Sequence, residues 1–323
     1  MSGPHADSAR APRPTDLVAL VTFDGEVHEN QAVTRERLGR PTAAPHPLNA
    51  AIEQWLGGRQ YTWIDVRGRQ IDGIATAREL GSRRAWIIDT LVDATAASEP
   101  AVAAALLWQA LAAAARHRVT HLLLRTAVDA PARADALRAG FQSALEERLW
   151  EGPALRACDG PGYAAVAVRD ACPEDAFALF QLYNRALPMQ GRQALAVTLE
   201  EWLAVQERRW LRRGSRQLVA VEGDRIAAAL RVVPARGRGQ FDLIADADGM
   251  AGAAALLDLA VAALAGAERV LALVSRCAAP LDLLLSERGL EPGAAYELLS
   301  RRSAIPVAER GRVAAGVAVS TDA

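Results

Sequence analysis

A run of small residues, Gly249-Met-Ala-Gly252-Ala-Ala254, opens an alanine-rich stretch with the length and composition of a helix. It follows an apolar run, Gln240 to Asp246, that is typical of a strand. The first N–H groups of a helix have no partner within it, and the helix dipole places positive charge there. Because Gly249, Gly252 and Ala254 have little or no side chain, a phosphate could approach this backbone closely. The segment is therefore suited to an anion; the alternative is a flexible loop that only opens an alanine-rich helix.

The composition excludes several other kinds of chemistry. All 37 basic residues are arginine, which excludes a lysine Schiff base and the lysine-bearing loop of P-loop nucleotidases. The 38 acidic residues bring the formal charge to −1, which argues against non-specific nucleic-acid binding. The scattered Cys158, Cys172 and Cys277 favour no metal site, and His117 and His121 are better explained as a helix end and a strand start. With no signal-peptide core and no bilayer-length apolar run, we expect a cytoplasmic protein.

The chain repeats itself. Trp55 to Ile71 aligns with Trp210 to Ile226, and in each copy two apolar runs flank a turn that contains a glycine, Gly68 or Gly223. This pattern predicts two β-hairpins. In the second copy the helix before the hairpin should start at Thr198-Leu-Glu-Glu201, which has the sequence of a capping box.

The repeat continues beyond the hairpins. Each copy has a third strand, an alanine-rich helix, another strand, a short helix that ends at Gly140 or Gly289, and a last strand. Each half should therefore be an α+β (mixed α/β) domain, with its own mixed, mostly antiparallel sheet of about six strands flanked by helices. We expect a disordered leader at 1–14, domains at 15–152 and 163–305, and an unpacked tail at 306–323.

This order of elements resembles the GNAT acetyltransferase superfamily, here as two tandem domains. Arg133 to Phe141 (RADALRAGF), followed by a strand, is similar to that family's fourth helix with its Gly-Phe ending. The resemblance implies an N-acyltransferase that uses acetyl-CoA as cosubstrate and acylates the amine of a small molecule or peptide. It implies no nucleic-acid or membrane partner, and it leaves the oligomeric state open.

The resemblance also implies where the cofactor binds. In the family, the CoA pyrophosphate lies at a loop of the form [Gln/Arg]-x-x-Gly-x-[Gly/Ala] that opens a helix. Gly252 and Ala254 match this pattern, whereas Gly249 replaces its polar first residue. We expect Gly252→Asp to abolish CoA binding without disturbing the fold. The nearby Asp246 and Asp248 would weaken anion binding unless they turn away.

Two further residues take catalytic roles by this resemblance. The family's tyrosine, which protonates the leaving thiolate, is replaced by Leu285, so Tyr296 on the last strand becomes the candidate acid. Asp242 on the central strand becomes the candidate base, with Asp89 in a loosely comparable place in the first half. The alternatives are that Tyr296 only packs and that Asp242 only faces solvent.

The first half departs further from the family pattern. Its loop, Ala94 to Ala101, contains no glycine and carries the acidic Glu99. Ala136 stands where the family has its tyrosine. We therefore expect a structural first half and a catalytic second half. An arginine cluster between Arg208 and Arg216 is explained either as a solvated surface or as a site for an anion. Two alternatives to an enzyme stay open: a non-catalytic tandem GNAT-fold ligand-binding or protein-interaction module, and a structural dimerisation protein.

Overall fold

A computed structural model describes residues 9–23, 28–39, 47–56, 58–68, 70–95, 100–156, 166–235, 237–277 and 280–303. The strands of these residues are β1 (Ala9–Arg10), β2 (Gln60–Arg67), β3 (Gln70–Glu79), β4 (Ala85–Asp93), β5 (His121–Ala127), β6 (Gln142–Gly152), β7 (Ala167–Asp170), β8 (Arg216–Glu222), β9 (Arg225–Val233), β10 (Gly237–Ala245), β11 (Ala267–Ser275) and β12 (Glu291–Arg302). The helices are α1 (Leu17–Thr22), α2 (Pro47–Trp55), α3 (Pro100–Arg116), α4 (Pro131–Arg138), α5 (Ala176–Ala186), α6 (Met189–Leu195), α7 (Leu199–Ala204), α8 (Met250–Ala263) and α9 (Pro280–Glu287), with a 3₁₀ turn at Arg35–Arg37.

All of these strands belong to one mixed sheet, in the order β1-β2-β3-β4-β5-β12-β6-β11-β10-β9-β8-β7. The expectation of a separate sheet in each half is therefore wrong. The two halves have exchanged their last strands, because β12 pairs with β5 and β6 pairs with β11. Each of the strands β1–β6 nevertheless has the same place, counted from one edge of the sheet, as its counterpart among β7–β12 has from the other edge. This symmetry agrees with the predicted duplication, and the sheet is of the predicted mixed class.

The joined sheet has a physical advantage over two separate ones. A long strand at a sheet edge presents unpaired N–H and C=O groups that can pair with other chains. Here the edges are β1, with two residues, and β7, with four. The longer strands β6 and β12 are paired on both sides.

Local features predicted from the sequence are confirmed. The hairpins β2–β3 and β8–β9 turn at Gly68 and Gly223, both with positive φ, the left-handed region that glycine enters without strain. The Thr198 hydroxyl accepts a hydrogen bond from the Glu201 N–H at 3.2 Å, which starts α7 as predicted. The prediction of a disordered leader is wrong for residues 9–14, because β1 pairs with β2 and Arg10 forms an ion pair with Asp16 at 2.6 Å. Residues 1–8 and 304–323 lie outside the described residues.

The sheet has two differently covered faces. Helices α3, α4, α8 and α9 cover one face with an apolar core. The other face is covered by α1 and α2, by residues 28–39, and by α5, α6 and α7. No helix in the described part of the chain is long and apolar enough to cross a bilayer. The centre of the second face holds the charged residues of the candidate site.

Candidate functional site

Each half contains a cleft where two parallel strands separate. Strands β4 and β5 are paired as far as Ile88 and Leu124, and β10 and β11 as far as Phe241 and Ala272. Beyond these pairs each strand continues without pairing to the other, which opens the first cleft and the second cleft, respectively. Asp89 directly follows the last pair in the first half, and Asp242 directly follows it in the second half. The two aspartates therefore occupy corresponding positions, as the sequence comparison predicted.

The first cleft is filled by the chain itself. Residues 30–34 lie between the separated strands: the Gln31 N–H donates to the Leu91 carbonyl on β4 at 2.9 Å, and the Val33 N–H donates to the Arg125 carbonyl on β5 at 2.8 Å. The Asn30 side chain accepts from the Leu91 N–H at 2.8 Å. Asn30, Ala32 and Thr34 are buried. The loop predicted to repel a pyrophosphate, Ala94 to Ala101, is described only at its two ends, and its residues 96–99, with Glu99, lie outside the described residues.

The second cleft leads into a cavity of about 770 Å³, although the Arg35 guanidinium occupies its start and donates to the Leu273 carbonyl on β11 at 3.0 Å. Asp242, Leu243, Ile244 and Ala245 of β10 line one side, and Leu273 and Ser275 of β11 line the other. The cavity continues beneath α5, α6 and α7 to strands β5, β6 and β12. Its wall therefore includes residues of both halves, which follows from the strand exchange.

A charged cluster forms part of this wall. It contains three guanidinium groups and three carboxylates, which balance in charge: Arg35, Arg125, Arg231, Glu147, Glu207 and Asp242. Arg125 is 1% exposed and donates to Glu147 at 2.6 Å and to Glu207 at 2.6 Å. Arg35 donates to Glu147 at 2.8 Å. Burial raises the pKa of Glu207, but Arg125 and Arg35 outweigh it and lower that pKa to about 2.

The predicted base Asp242 lies in this cluster and not in solvent. Arg231 Nε donates to both of its carboxylate oxygens at 3.0 Å, and Arg35 lies 3.4 Å away. Burial raises the pKa of Asp242, but the two guanidinium groups reverse this effect and lower it. A carboxylate with a lowered pKa and two arginine partners is a weak proton acceptor. The geometry thus favours a structural role for Asp242 in the cleft wall.

The predicted acid Tyr296 lies outside the cavity. It packs against an apolar group that includes Leu38, Leu149 and Leu273, and burial raises its pKa. A different tyrosine, Tyr183 on α5, does line the cavity, and burial raises its pKa as well. Nothing in the sequence marks Tyr183 as functional, because it lies in an ordinary amphipathic helix with no motif around it.

Known proteins similar to this chain were found by comparison of structures and not by comparison of sequences. No family's sequence model and no curated protein matches the chain. A GCN5-related N-acetyltransferase from Sphaerobacter thermophilus superposes with a TM-score of 0.51 at 18% identity, over 93% of this chain and 97% of that one. A glucosamine N-acetyltransferase region of a fungal GH3 β-N-acetylglucosaminidase superposes with a TM-score of 0.53 at 12% identity, over 91% of this chain and 38% of that one. The chain has the GNAT fold.

Within the GNAT fold, the sides of Gly249 and Gly252 where a Cβ atom would stand face the sheet. A Cβ atom at Gly249 would overlap the Ala227 carbonyl oxygen, and one at Gly252 would lie 2.8 Å from the Ala220 Cβ. Ala254 is fully buried. These small residues therefore let α8 pack closely on the strands, and the expectation that Gly252→Asp leaves the fold intact is wrong.

Gly252→Val is expected to lower the free energy of unfolding by about 1–3 kcal/mol, because the added atoms overpack the contact between α8 and Ala220. Urea denaturation measures this loss. Gly266→Ala is the matched control, since a Cβ atom there would meet nothing within 4 Å. Equal stability of the Gly252→Val variant and the control would contradict the packing role of Gly252.

Two acidic residues near the start of α8 are paired with arginines. Asp246 accepts from Arg185 at 2.8 Å and from Arg225 at 3.0 Å, and Asp248 lies 3.6 Å from Arg225. This pairing reduces the negative charge of these carboxylates near the start of α8. Of the predicted arginine cluster, Arg216 pairs with Asp170 at 3.0 Å, and Arg208 is exposed and lines the cavity.

Proposed function

We propose that this protein is an acyl-CoA-dependent N-acyltransferase that transfers an acetyl or larger acyl group to an amine, with its cofactor site in the second half. The observation that carries the proposal is the contrast between the two clefts. The second cleft opens into a large cavity, whereas the first is closed by residues 30–34. We further propose that the domain boundaries follow the repeat, at about residues 15–152 and 163–305.

The filled first cleft suggests how a cofactor would bind in the second. In the first cleft, the backbone of Leu91 bonds to the side chain of Asn30 and the N–H of Gln31. Ile244 stands as far beyond the last strand pair on β10 as Leu91 does on β4, and it lines the cavity. The pantetheine arm of CoA carries amide groups of the same kind. The residues present thus fit an extended, amide-bearing cofactor between β10 and β11.

The start of α8 is the place proposed for the pyrophosphate. The first turn of this helix has no side-chain cap, and its N–H groups and dipole favour an anion. Arg225 lies beside it and is partly exposed, and its ion pairs with Asp246 and Asp248 reduce the negative charge near this turn. Gly249, Gly252 and Ala254 remain proposed as backbone contacts only, because their missing side chains are accounted for by packing.

One observation favours the alternative of a non-catalytic ligand-binding module. Neither of the predicted catalytic residues is placed for proton transfer, since Asp242 is held by two arginines and Tyr296 packs outside the cavity. In that case the cleft would bind a ligand without turning it over. Binding of CoA and turnover of acetyl-CoA therefore have to be measured separately.

Isothermal titration of the full chain with acetyl-CoA is expected to give one bound molecule per chain and not two. The physical reason is that residues 30–34 already satisfy the strand edges of the first cleft. Two equivalent sites would contradict the assignment of the first half as structural. An absence of binding at millimolar concentration would contradict the enzyme function, and binding without release of free thiol from acetyl-CoA in the presence of amines would favour the non-catalytic alternative.

A further inference from the structure

The deep part of the cavity has an apolar wall. Six of its side chains also contact one another in a single buried cluster: Leu123, Leu145, Leu187, Leu195, Val205 and Leu298. They come from β5, β6 and β12 on the sheet side and from α6 and its neighbouring segments on the other. This wall lies on the sheet face that carries Asp242, across β11 from the second cleft.

The six charged residues of the cluster do not offer a site for an ion. Arg35, Arg125 and Arg231 are each within 4 Å of a carboxylate of the cluster, and the numbers of positive and negative groups are equal. Among the other described lining residues the charged one is Arg208, which is exposed. A charged substrate body in the deep part would lose its hydration without gaining an unpaired partner.

We propose that the deep part of the cavity binds an uncharged apolar group. The identity of the molecule that carries this group rests on the proposed acyltransferase function. The group belongs either to an acyl chain longer than acetyl or to the body of the acceptor amine. The whole cavity, which includes the second cleft, has a volume of about 770 Å³, and this lies within the range of sites for small organic ligands. An apolar wall gains free energy when such a ligand replaces water.

The test uses the neutral fluorescent probe N-phenyl-1-naphthylamine, which brightens in apolar surroundings. The full chain should bind the probe, and Ala186→Phe should weaken binding by about tenfold or more, because Ala186 lines the cavity and the added ring fills it. Gln181→Phe is the matched control on the same helix: Gln181 is exposed and does not line the cavity, so this variant should bind as the unaltered chain does.

Competition then distinguishes the two sources of the apolar group. Displacement of the probe by octanoyl-CoA but not by CoA assigns the deep part to an acyl chain, and displacement by octylamine assigns it to the acceptor; either result supports the proposal. Failure of the probe to bind, equal binding by both phenylalanine variants with unchanged melting temperatures, or displacement by neither compound would overturn it. Probe binding in a chain that binds no CoA would leave this inference standing and contradict only the acyltransferase function.

Discussion

Arg125→Met is expected to lower the free energy of unfolding by about 3–5 kcal/mol, the usual cost of removing one partner from a buried ion pair. Arg125 is buried, and it donates to both Glu147 and Glu207. Without it, the cluster would hold one more carboxylate than guanidinium, in surroundings from which water is largely excluded. Urea denaturation followed by circular dichroism gives the free energy directly.

Two further variants make the measurement specific to the buried cluster. Arg216→Met removes an ion pair with Asp170 whose partners are both exposed, so it should cost only about 0–1 kcal/mol. Adding Glu147→Gln to Arg125→Met restores the charge balance and should recover part of the lost stability. If Arg125→Met cost no more than Arg216→Met, the buried cluster would not be a stabilising junction between the two halves.

Ser275→Trp is expected to weaken acetyl-CoA binding by about 100-fold or more, equivalent to about 2.8 kcal/mol. Ser275 ends β11 and lines the cavity where the second cleft is open, so an indole ring there would occupy the space proposed for the cofactor. Isothermal titration with acetyl-CoA measures the change, and thermal melting checks that the variant is folded.

Ala127→Trp is the matched control for the cleft. Ala127 ends β5 at the position that corresponds to Ser275, three residues beyond the last pair with the neighbouring parallel strand. Because the first cleft is closed by residues 30–34, a tryptophan there should leave acetyl-CoA affinity unchanged. Undiminished binding by Ser275→Trp would place the cofactor elsewhere, and equal losses in the two variants would contradict the difference between the clefts.

The charge balance of the six-residue cluster in the cavity wall bears on the choice of substrate under the proposed function. Enzymes that bind polycationic or polyanionic acceptors need unpaired charges of opposite sign in the site. Here the arginines and carboxylates satisfy one another. This arrangement also explains why Asp242, the base predicted from the sequence, is not poised as one: Arg231 on the neighbouring strand β9 and Arg35 from the first half both pair with it.

The sequence by itself determined the local elements and their repetition. Gly68 and Gly223 turn the hairpins, Gly140 and Gly289 end the short helices with positive φ, and Thr198 caps α7. Each of these features depends on residues a few positions apart, whose steric and hydrogen-bonding preferences act in any context. The GNAT-like order of elements, and hence the fold, could therefore be predicted from the sequence.

Only the tertiary structure decided how the two halves join and where the site lies. Strand β6 pairs with β11 and β12, and its alternating pattern does not specify which edge it joins, because strand edges offer the same backbone groups. The filling of the first cleft by residues 30–34 depends on hydrogen bonds to Leu91 and Arg125, which are far away in the sequence. The cavity and its charged cluster form only when these distant segments pack together, so no short sequence motif could predict them.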